Sequence, residues 1–509
     1  MFWVQKIVDD IEKAHPEGEV VVSSGVSPSG TYHVGTLREV LTADAVAIEL
    51  KRRGHSVRHL HFADDLDFLR KVPADTDSSF EKYLGVSLCD VPSPDGKAKS
   101  YADYFLNDFL SNLDVLGIDM EVVRAHEKYR SGFFELAIEK TLLKVDEVKA
   151  CLEEVSGRKL DENWSPIQVN EDGYLKKRPF VSIDTDKKTI IYIDKNDQQV
   201  EVSYQGGGVK LDWRLDWPAR WWLVNVMAEP FGRDHATKGG SYDTGVALVT
   251  RIFGGQAPYP VPYEFINRAG ETKKMSKSAG NTVNVSELLS ILPPEIVRFF
   301  VLRFSPDKKL SFDQTDGIVR LIDEYAALLA KSDKSEDDEQ LLYICTNTLK
   351  QNTISNIPFS HLVASYQSAL KDPSKTIEIV ARTEHGEIAE TQSETINLEL
   401  RYIDKWLETW APESVKFSLR DDINPSEFSD EEKQFLIGLA EKIENAPETA
   451  EGEWFHQAIY SFKTDDFSPK QIFSAIYRCL IGKEAGPRAG WFLSILPKEW
   501  LISRLRLIK

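Results

Sequence analysis

Residues 19–62 constrain the fold most. The run EVVVSS at 19–24 is β-branched, ends at Gly25 and leads into the tight loop Ser27-Pro28-Ser29-Gly30. Helical spacing then extends from Val34 to Arg53 and stops at Gly54, and Val57 to Phe62 reads as a second strand. Strand, glycine-rich loop, helix and strand form a βαβ unit, which calls for a parallel sheet with helices on its faces. Helical spacing resumes from Tyr101 to Val155, broken at Gly117 and at Tyr129-Arg130-Ser131-Gly132. Residues 176–204 alternate polar and β-branched positions about the turn Asp194-Lys195-Asn196-Asp197, which predicts a small antiparallel insertion. An α/β portion follows from Asp212 to Pro262. From Ser286 onward the period is helical, except for KSDKSEDDE at 331–339, which reads as a linker or exposed turn.

A chain of 509 residues predicts roughly two to four domains. With 42% apolar and 28% charged residues it is globular rather than disordered. No apolar run reaches membrane-spanning length and the N-terminus carries no secretory pattern, so a cytoplasmic location without membrane contact is expected. Cys89, Cys151, Cys345 and Cys479 show no paired spacing, which disfavours a zinc ribbon or a disulfide framework. His55, His59 and His61 fall on an expected strand and read as strand packing rather than as metal ligands.

Two stretches carry chemistry. Pro28-Ser29-Gly30-Thr31-Tyr32-His33-Val34-Gly35-Thr36 follows a strand and opens a helix. Its glycines permit close approach to the backbone, and the helix N-terminus offers free N–H groups to a polyphosphate. Alone, the pattern also fits a capping loop with one satisfied histidine. Glu271 to Asn281 holds Lys273, Lys274 and Lys277 with Ser276 and Ser278, a cationic, hydroxyl-rich loop able to follow a phosphate whose charge grows in a transition state. A solvated surface loop is the plainer reading.

Taken together, PxGxxHxG and the downstream KMSKS resemble the paired signatures of class I aminoacyl-tRNA synthetases. Three further stretches resemble the archaeal-type class I lysyl-tRNA synthetases. They are His61-Phe62-Ala63-Asp64-Asp65-Leu66-Asp67 through Arg70-Lys71-Val72-Pro73, then Leu215-Asp216-Trp217-Pro218-Ala219-Arg220-Trp221 with Gly232-Arg233-Asp234-His235, and finally Gly486-Pro487-Arg488-Ala489-Gly490. The resemblance runs nearly end to end. It implies an α/β fold with a Rossmann-type parallel-sheet catalytic domain, a small insertion and an all-helical anticodon-binding region. The expected divisions are 1–96 and 215–262 for the two catalytic halves, 97–214 for the insertion, 263–330 for the KMSKS loop and stem-contact region, and 331–509 for the helical region.

The resemblance further implies ATP-dependent attachment of L-lysine to tRNA-Lys through lysyl-adenylate, with Mg²⁺ accompanying ATP and the chain a monomer. Catalytic roles fall on His33, Gly35, Thr36, Lys274 and Lys277. ATP would meet Pro28, Gly30, His33, Gly35, Asp234, Met275, Ser276, Lys277 and Ser278, with Asp234 on the ribose. Lysine would meet Gly25, Ser27, Trp221 and His235. No residue is expected to hold a metal. Thr36 departs from the usual His or Asn, and Ser27 stands where the family has Thr. Relatives often carry zinc-binding cysteine pairs in the insertion, but 164–208 holds none, so no structural zinc is expected.

A lysine side chain is an apolar stem ending in a cation, so aromatic walls with carboxylates suit it. Asp216, Trp217, Trp221, Trp222, Asp234, His235, Tyr263 and Glu264 supply both. Asp64, Asp65 and Asp67 either serve the amine or cap the next helix. Rival readings are a glutamate-specific class I synthetase, a small nucleotidyltransferase and a non-catalytic tRNA-binding paralogue. The net charge of −19 argues against an RNA partner only on average. Residues 371–460 hold 21 acidic and 9 basic residues, whereas 461–509 hold 4 and 9, so cationic surfaces remain available locally.

Overall fold

The structure, a computed structural model, describes residues 2–15, 18–74, 76–162, 164–270, 283–420, 422–447, 450–464 and 467–508. The chain divides into two compact units. The first holds residues 1–289, 297–312 and 336–350, and the second holds 290–296, 313–335 and 351–509.

The first unit is built on the expected βαβ element. Helix α1 (Trp3–Ala14) precedes β1 (Val20–Val26), α2 (Val34–Arg52) and β2 (Val57–Ala63). β1 and β2 pair in parallel from Val20 opposite Val57 to Val26 opposite Ala63. Val20, Val21 and Val22 of β1 are buried on both faces, as a central parallel strand requires. Of the 19 residues in α2, 16 are buried, including Arg38, Glu39, Asp44 and Glu49, so this is a core helix and its charges need internal partners. Gly54 takes a φ of +94° just past the helix, a conformation that favours glycine. His59 and His61 are buried in β2, and His61 Nδ1 lies 2.9 Å from Ser24 Oγ.

After α3 (Tyr101–Val115), residues 121–124 form β3, an edge strand beside β2 that helical spacing had concealed. Four residues are too few for a two-residue period to declare itself beside flanking helices. Helices α4 (Ala125–Arg130), α5 (Glu135–Leu143) and α6 (Val145–Ser156) follow. The antiparallel part is larger than its sequence pattern suggested. It comprises β4 (Ile167–Glu171), β5 (Tyr174–Lys177), β6 (Phe180–Asp184), β7 (Thr189–Ile193), β8 (Gln199–Ser203) and β9 (Val209–Leu211), arranged as two three-stranded sheets.

The chain then returns to the parallel sheet through α7 (Trp213–Val224), β10 (Ala228–Gly232), α8 (Ser241–Leu248) and β11 (Tyr259–Tyr263). The five strands lie in the order β11-β10-β1-β2-β3. Beyond them, β12 (Ile266–Arg268) pairs in parallel with β13 (Leu310–Phe312).

The second unit is helical among its described residues and has its own apolar core, with Leu436, Leu439, Ile459, Ile476, Leu480 and Leu493 at its centre. The polar run at 331–339 differs from its reading as a linker: a helix spanning Glu336–Thr346 begins inside it. Glu336, Asp337, Asp338 and Glu339 occupy that helix's first turn, where the backbone dipole favours negative charge.

Candidate active site

The loop between β1 and α2 is closely held. Tyr32 is buried and stacks on Phe109 with ring centroids 4.1 Å apart, and the Tyr101 hydroxyl donates to the Ser29 carbonyl at 3.3 Å. His33 is the N-cap of α2, and its Nδ1 accepts the Gly35 N–H at 3.0 Å. An acceptor at Nδ1 places the proton of the neutral ring on Nε2, so the imidazole presents a donor there. Gly35 is needed for this cap, because a Cβ at that position would stand 2.8 Å from two atoms of the His33 ring. The Thr36 N–H donates to the His33 carbonyl at 2.8 Å, and its side chain is largely buried.

The same loop is tied to residues just beyond 271–282. His33 bridges Asn284, and the Val34 N–H donates to the Val283 carbonyl at 3.1 Å. The expected sites Lys274, Met275, Ser276, Lys277 and Ser278 lie outside the described residues. The chain leading towards them is β12, whose continuation at Ala269 donates its N–H to the Phe312 carbonyl at 2.9 Å.

A cavity of about 360 Å³ opens at the C-terminal ends of β1 and β10. In the sheet order the chain turns one way from β1 to β2 and later returns on the other side at β10. The cavity therefore sits at the topological switch point, where open parallel sheets bind ligands. Gly25, Glu39, Asp64, Asp67, Trp213, Trp217, Glu229, Asp234, His235 and Tyr263 are among its lining residues.

Its floor is a chain of alternating charges. Arg220 binds Asp64 and also Asp216, the latter at 2.6 Å. Lys210 bridges Asp216 at 2.9 Å and Asp67 at 3.1 Å, and Asp67 accepts the Ser27 hydroxyl at 2.9 Å. Burial disfavours the Asp216 carboxylate, but the neighbouring Arg220 and Lys210 outweigh it and hold the group down at about 2. Burial also works against charge on Lys210, yet Asp216 and Asp67 keep its ammonium well above the ordinary range.

The upper wall holds two carboxyls that pair with no cation among the described residues. Glu39 accepts the Gly25 N–H and the Tyr263 hydroxyl, each at 2.8 Å, and burial pushes its carboxyl up to about 8. Glu229 accepts the Trp217 indole N–H at 3.0 Å and that of Trp221 as well, and burial pushes it up to about 7. Around the cavity five carboxyls, those of Asp64, Asp67, Asp216, Glu39 and Glu229, face the cations Lys210 and Arg220; the surplus turns negative as Glu39 and Glu229 lose their protons, which a cationic ligand would favour.

The expected residues divide between this cavity and its surroundings. Gly25 and His235 line it, as does Asp234; Ser27 joins its floor through Asp67. Trp221 is buried behind the wall, with its N–H on Glu229. Trp222 packs on Phe253 at 5.6 Å and contributes nothing to the lining. Asp65 turns away to Arg124 and His126, while Asp64 and Asp67 face the cavity. Glu264 pairs with Arg233 at 3.2 Å. Sequence reading had not singled out Glu39, Lys210 or Glu229. The available signal was an isolated charge in an apolar setting, as in Ala228-Glu229-Pro230-Phe231 and Val209-Lys210-Leu211. Among the described residues no group of three or more His, Cys, Asp or Glu is arranged to hold a metal ion.

Residues 1–352 match the family model for tRNA synthetases class I (K). The chain belongs to this family. The class I synthetase is 37% identical to lysine–tRNA ligase 1 of Methanosarcina acetivorans, covering 99% of this chain and 98% of that protein. It is 35% identical to the lysine–tRNA ligase of Archaeoglobus fulgidus, covering 99% of each. A solved glutamate tRNA ligase from Elizabethkingia meningosepticum aligns over 96% of this chain and 98% of its own, at 14% identity and a TM-score of 0.43. In this synthetase the parallel sheet carries the cavity at its strand ends, and the histidine-bearing loop lies at the start of the first crossover helix.

Proposed function

We propose that this synthetase attaches L-lysine to tRNA-Lys in two steps, by way of lysyl-adenylate. The observation that carries the lysine assignment is the acidic cavity with tryptophan walls at the switch point. A side chain with a terminal ammonium finds carboxyls there that it can hold ionised, whereas the cations a glutamate side chain would need, Lys210 and Arg220, are already paired with Asp67, Asp216 and Asp64.

No protein nucleophile is required. The lysine carboxylate attacks the α-phosphorus of ATP and pyrophosphate leaves. A terminal ribose hydroxyl of the tRNA, assigned as the 2′-OH, then attacks the activated carbonyl; the ester forms as the bond from the carbonyl to the phosphate oxygen breaks, AMP leaves and the hydroxyl proton is released. Catalysis is positioning and charge stabilisation. His33 Nε2–H and the N-terminus of α2 are assigned to the phosphates, supported by the Nδ1 cap that fixes the ring. Pro28 and Gly30 shape the loop beneath ATP. Asp234, at the mouth of the cavity, is assigned to the ribose. Lys274 and Lys277 are assigned to the α-phosphate and the leaving pyrophosphate, with Met275, Ser276 and Ser278 beside them. Magnesium enters with ATP as its counter-ion. The second, helical unit is assigned to anticodon recognition, the stage being cytoplasmic translation and the chain a monomer.

Pyrophosphate exchange tests the assignment. Lysine should support exchange and glutamate should not. Lys277→Ala should lower the exchange rate by about 100-fold or more while leaving lysine KM within a small factor. A wild-type rate in that variant would refute the role of Lys277, and glutamate-dependent exchange would refute the lysine assignment.

A further inference from the structure

We propose that the cation–aromatic pairs Arg70–Phe68, Lys82–Tyr83 and Lys176–Tyr174 form a surface along which the single-stranded 3′ end of the tRNA lies as its terminal ribose enters the cavity. The proposal rests on the tRNA-charging reading and adds to it a surface for the second substrate.

The three pairs are built alike. The Arg70 guanidinium stands 5.3 Å from the centre of the Phe68 ring, the Lys82 ammonium 5.0 Å from that of Tyr83 and the Lys176 ammonium 5.2 Å from that of Tyr174. Each joins an aromatic ring to a positive charge. Unpaired nucleotides bind to that combination whatever their sequence, since every base has a face to stack and every nucleotide a phosphate. These charges are not spent on carboxylates. Neither Lys82 nor Lys176 forms an ion pair among the described residues, and the Arg70 side chain is 61% exposed, with Asp67 at 3.7 Å. In a chain of net charge −19 such a group is a local cationic surface.

Backbone hydrogen bonds join the pairs into one surface. The Leu69 N–H donates to the Val86 carbonyl and the Gly85 N–H to the Leu69 carbonyl, each at 2.9 Å, which holds the Arg70 segment against that of Tyr83. The Leu175 N–H donates to the Gly85 carbonyl at 3.1 Å and brings β5 alongside. Tyr174 and Lys176, two residues apart on β5, share a face of the strand and lie on Gly85. A Cβ at Gly85 would stand 3.3 Å from the Tyr174 ring and 3.4 Å from the Lys176 ammonium.

This surface leads to the place of reaction. A second cavity, of about 220 Å³, is lined by Phe68, Arg70 and Lys71 together with Ser27, Ser29 and Asp67. Asp67 also lines the first cavity, so the two adjoin at this residue. From Tyr83 a row of rings runs to the same loop: Tyr83 packs on Phe80 at 5.6 Å, Phe80 on Tyr101 at 5.8 Å, and the Tyr101 hydroxyl donates to the Ser29 carbonyl. Cavities of this size exclude a duplex. The nucleotides that carry the ribose to the activated carbonyl must therefore be unpaired, and unpaired bases need protein rings in place of their lost neighbours.

Two assays on the full-length protein separate this surface from the first cavity: lysine-dependent pyrophosphate exchange without tRNA, and lysine transfer to tRNA. The double substitution Lys82→Ala with Lys176→Ala should leave the exchange rate and lysine KM within about twofold of wild type and raise tRNA KM on the order of tenfold. Tyr174→Ser should do the same through lost stacking. A tRNA trimmed of its unpaired 3′ nucleotides, used as an inhibitor of charging, isolates the contact. Its inhibition constant should be equal in wild type and in both variants, because the nucleotides that meet the surface are gone. An unchanged tRNA KM overturns the proposal. So does an equal loss of affinity for trimmed and intact tRNA, which puts the contact elsewhere on the RNA, and so does a matching fall in exchange, which makes the pairs part of the fold alone. A wild type that charges tRNA with another amino acid refutes the lysine reading, and the same variants then decide the surface separately.

Discussion

At the scale of single residues, the first signature works by exclusion as much as by contact. Gly35 is required because the His33 ring occupies the space a Cβ would need. Gly35→Ala should therefore displace the imidazole from its cap and lower ATP-dependent exchange by roughly 100-fold, with lysine KM little changed; steady-state exchange kinetics would show the separation. This part of the site was legible because loop, cap and helix start are local in sequence. The cavity was legible only in part. Trp217 and His235 reach it, but Trp221 points behind it, since two tryptophans one helical turn apart can serve a wall and its support. Glu39 and Arg38 stayed hidden because charges at helical spacing read as a solvated face, whereas α2 is buried nearly all round. Glu229 and Lys210 stayed hidden because which face of a strand points to a ligand is decided by tertiary pairing.

At the scale of elements, α2 organises the catalytic unit. The Arg38 guanidinium, buried in that helix, donates to the carbonyls of Val301, Ser305, Pro306 and Lys308 at 2.5 to 3.1 Å. Burial lowers its basicity to about 10, which still leaves it charged at neutral pH. Arg298 does the corresponding work from the other side, meeting Asp44 of α2 at 2.7 Å and the carbonyls of Leu116 and Ile344. Arg38 thereby fixes the turn that leads into β13, the partner of β12, and β12 carries the chain towards residue 271. Arg38→Met should leave four carbonyls without their donor and cost about 3 kcal/mol in urea denaturation. The βαβ core was legible because its hydrophobic runs are long and its glycines fall at the breaks. β3 was not, being four residues that take their strand character from pairing with β2.

At the scale of the whole molecule, buried carboxyls set the response to pH. Glu39 and Glu229 in the first unit rise to about 8 and about 7, and burial raises Glu399 in the second to about 8. Each folded-state value lies above the unfolded one, so the folded protein holds more protons. The stability they confer is full below the unfolded pKa, near 4.3, and is lost as pH rises through the folded values. Melting temperature should fall between about pH 5.5 and pH 8.5. Glu399 accepts the Ser355 N–H at 2.9 Å and its hydroxyl at 2.8 Å, and a glutamine there imitates the protonated acid. Glu399→Gln should match wild type at the acid end and melt about 4 °C higher at the alkaline end by calorimetry. The path of the chain has a consequence of another kind. It passes from one unit to the other five times, at 289/290, 296/297, 312/313, 335/336 and 350/351. A fragment begun at residue 351 therefore leaves behind residues 290–296 and 313–335, two earlier stretches of its own compact unit, and would have to fold without them.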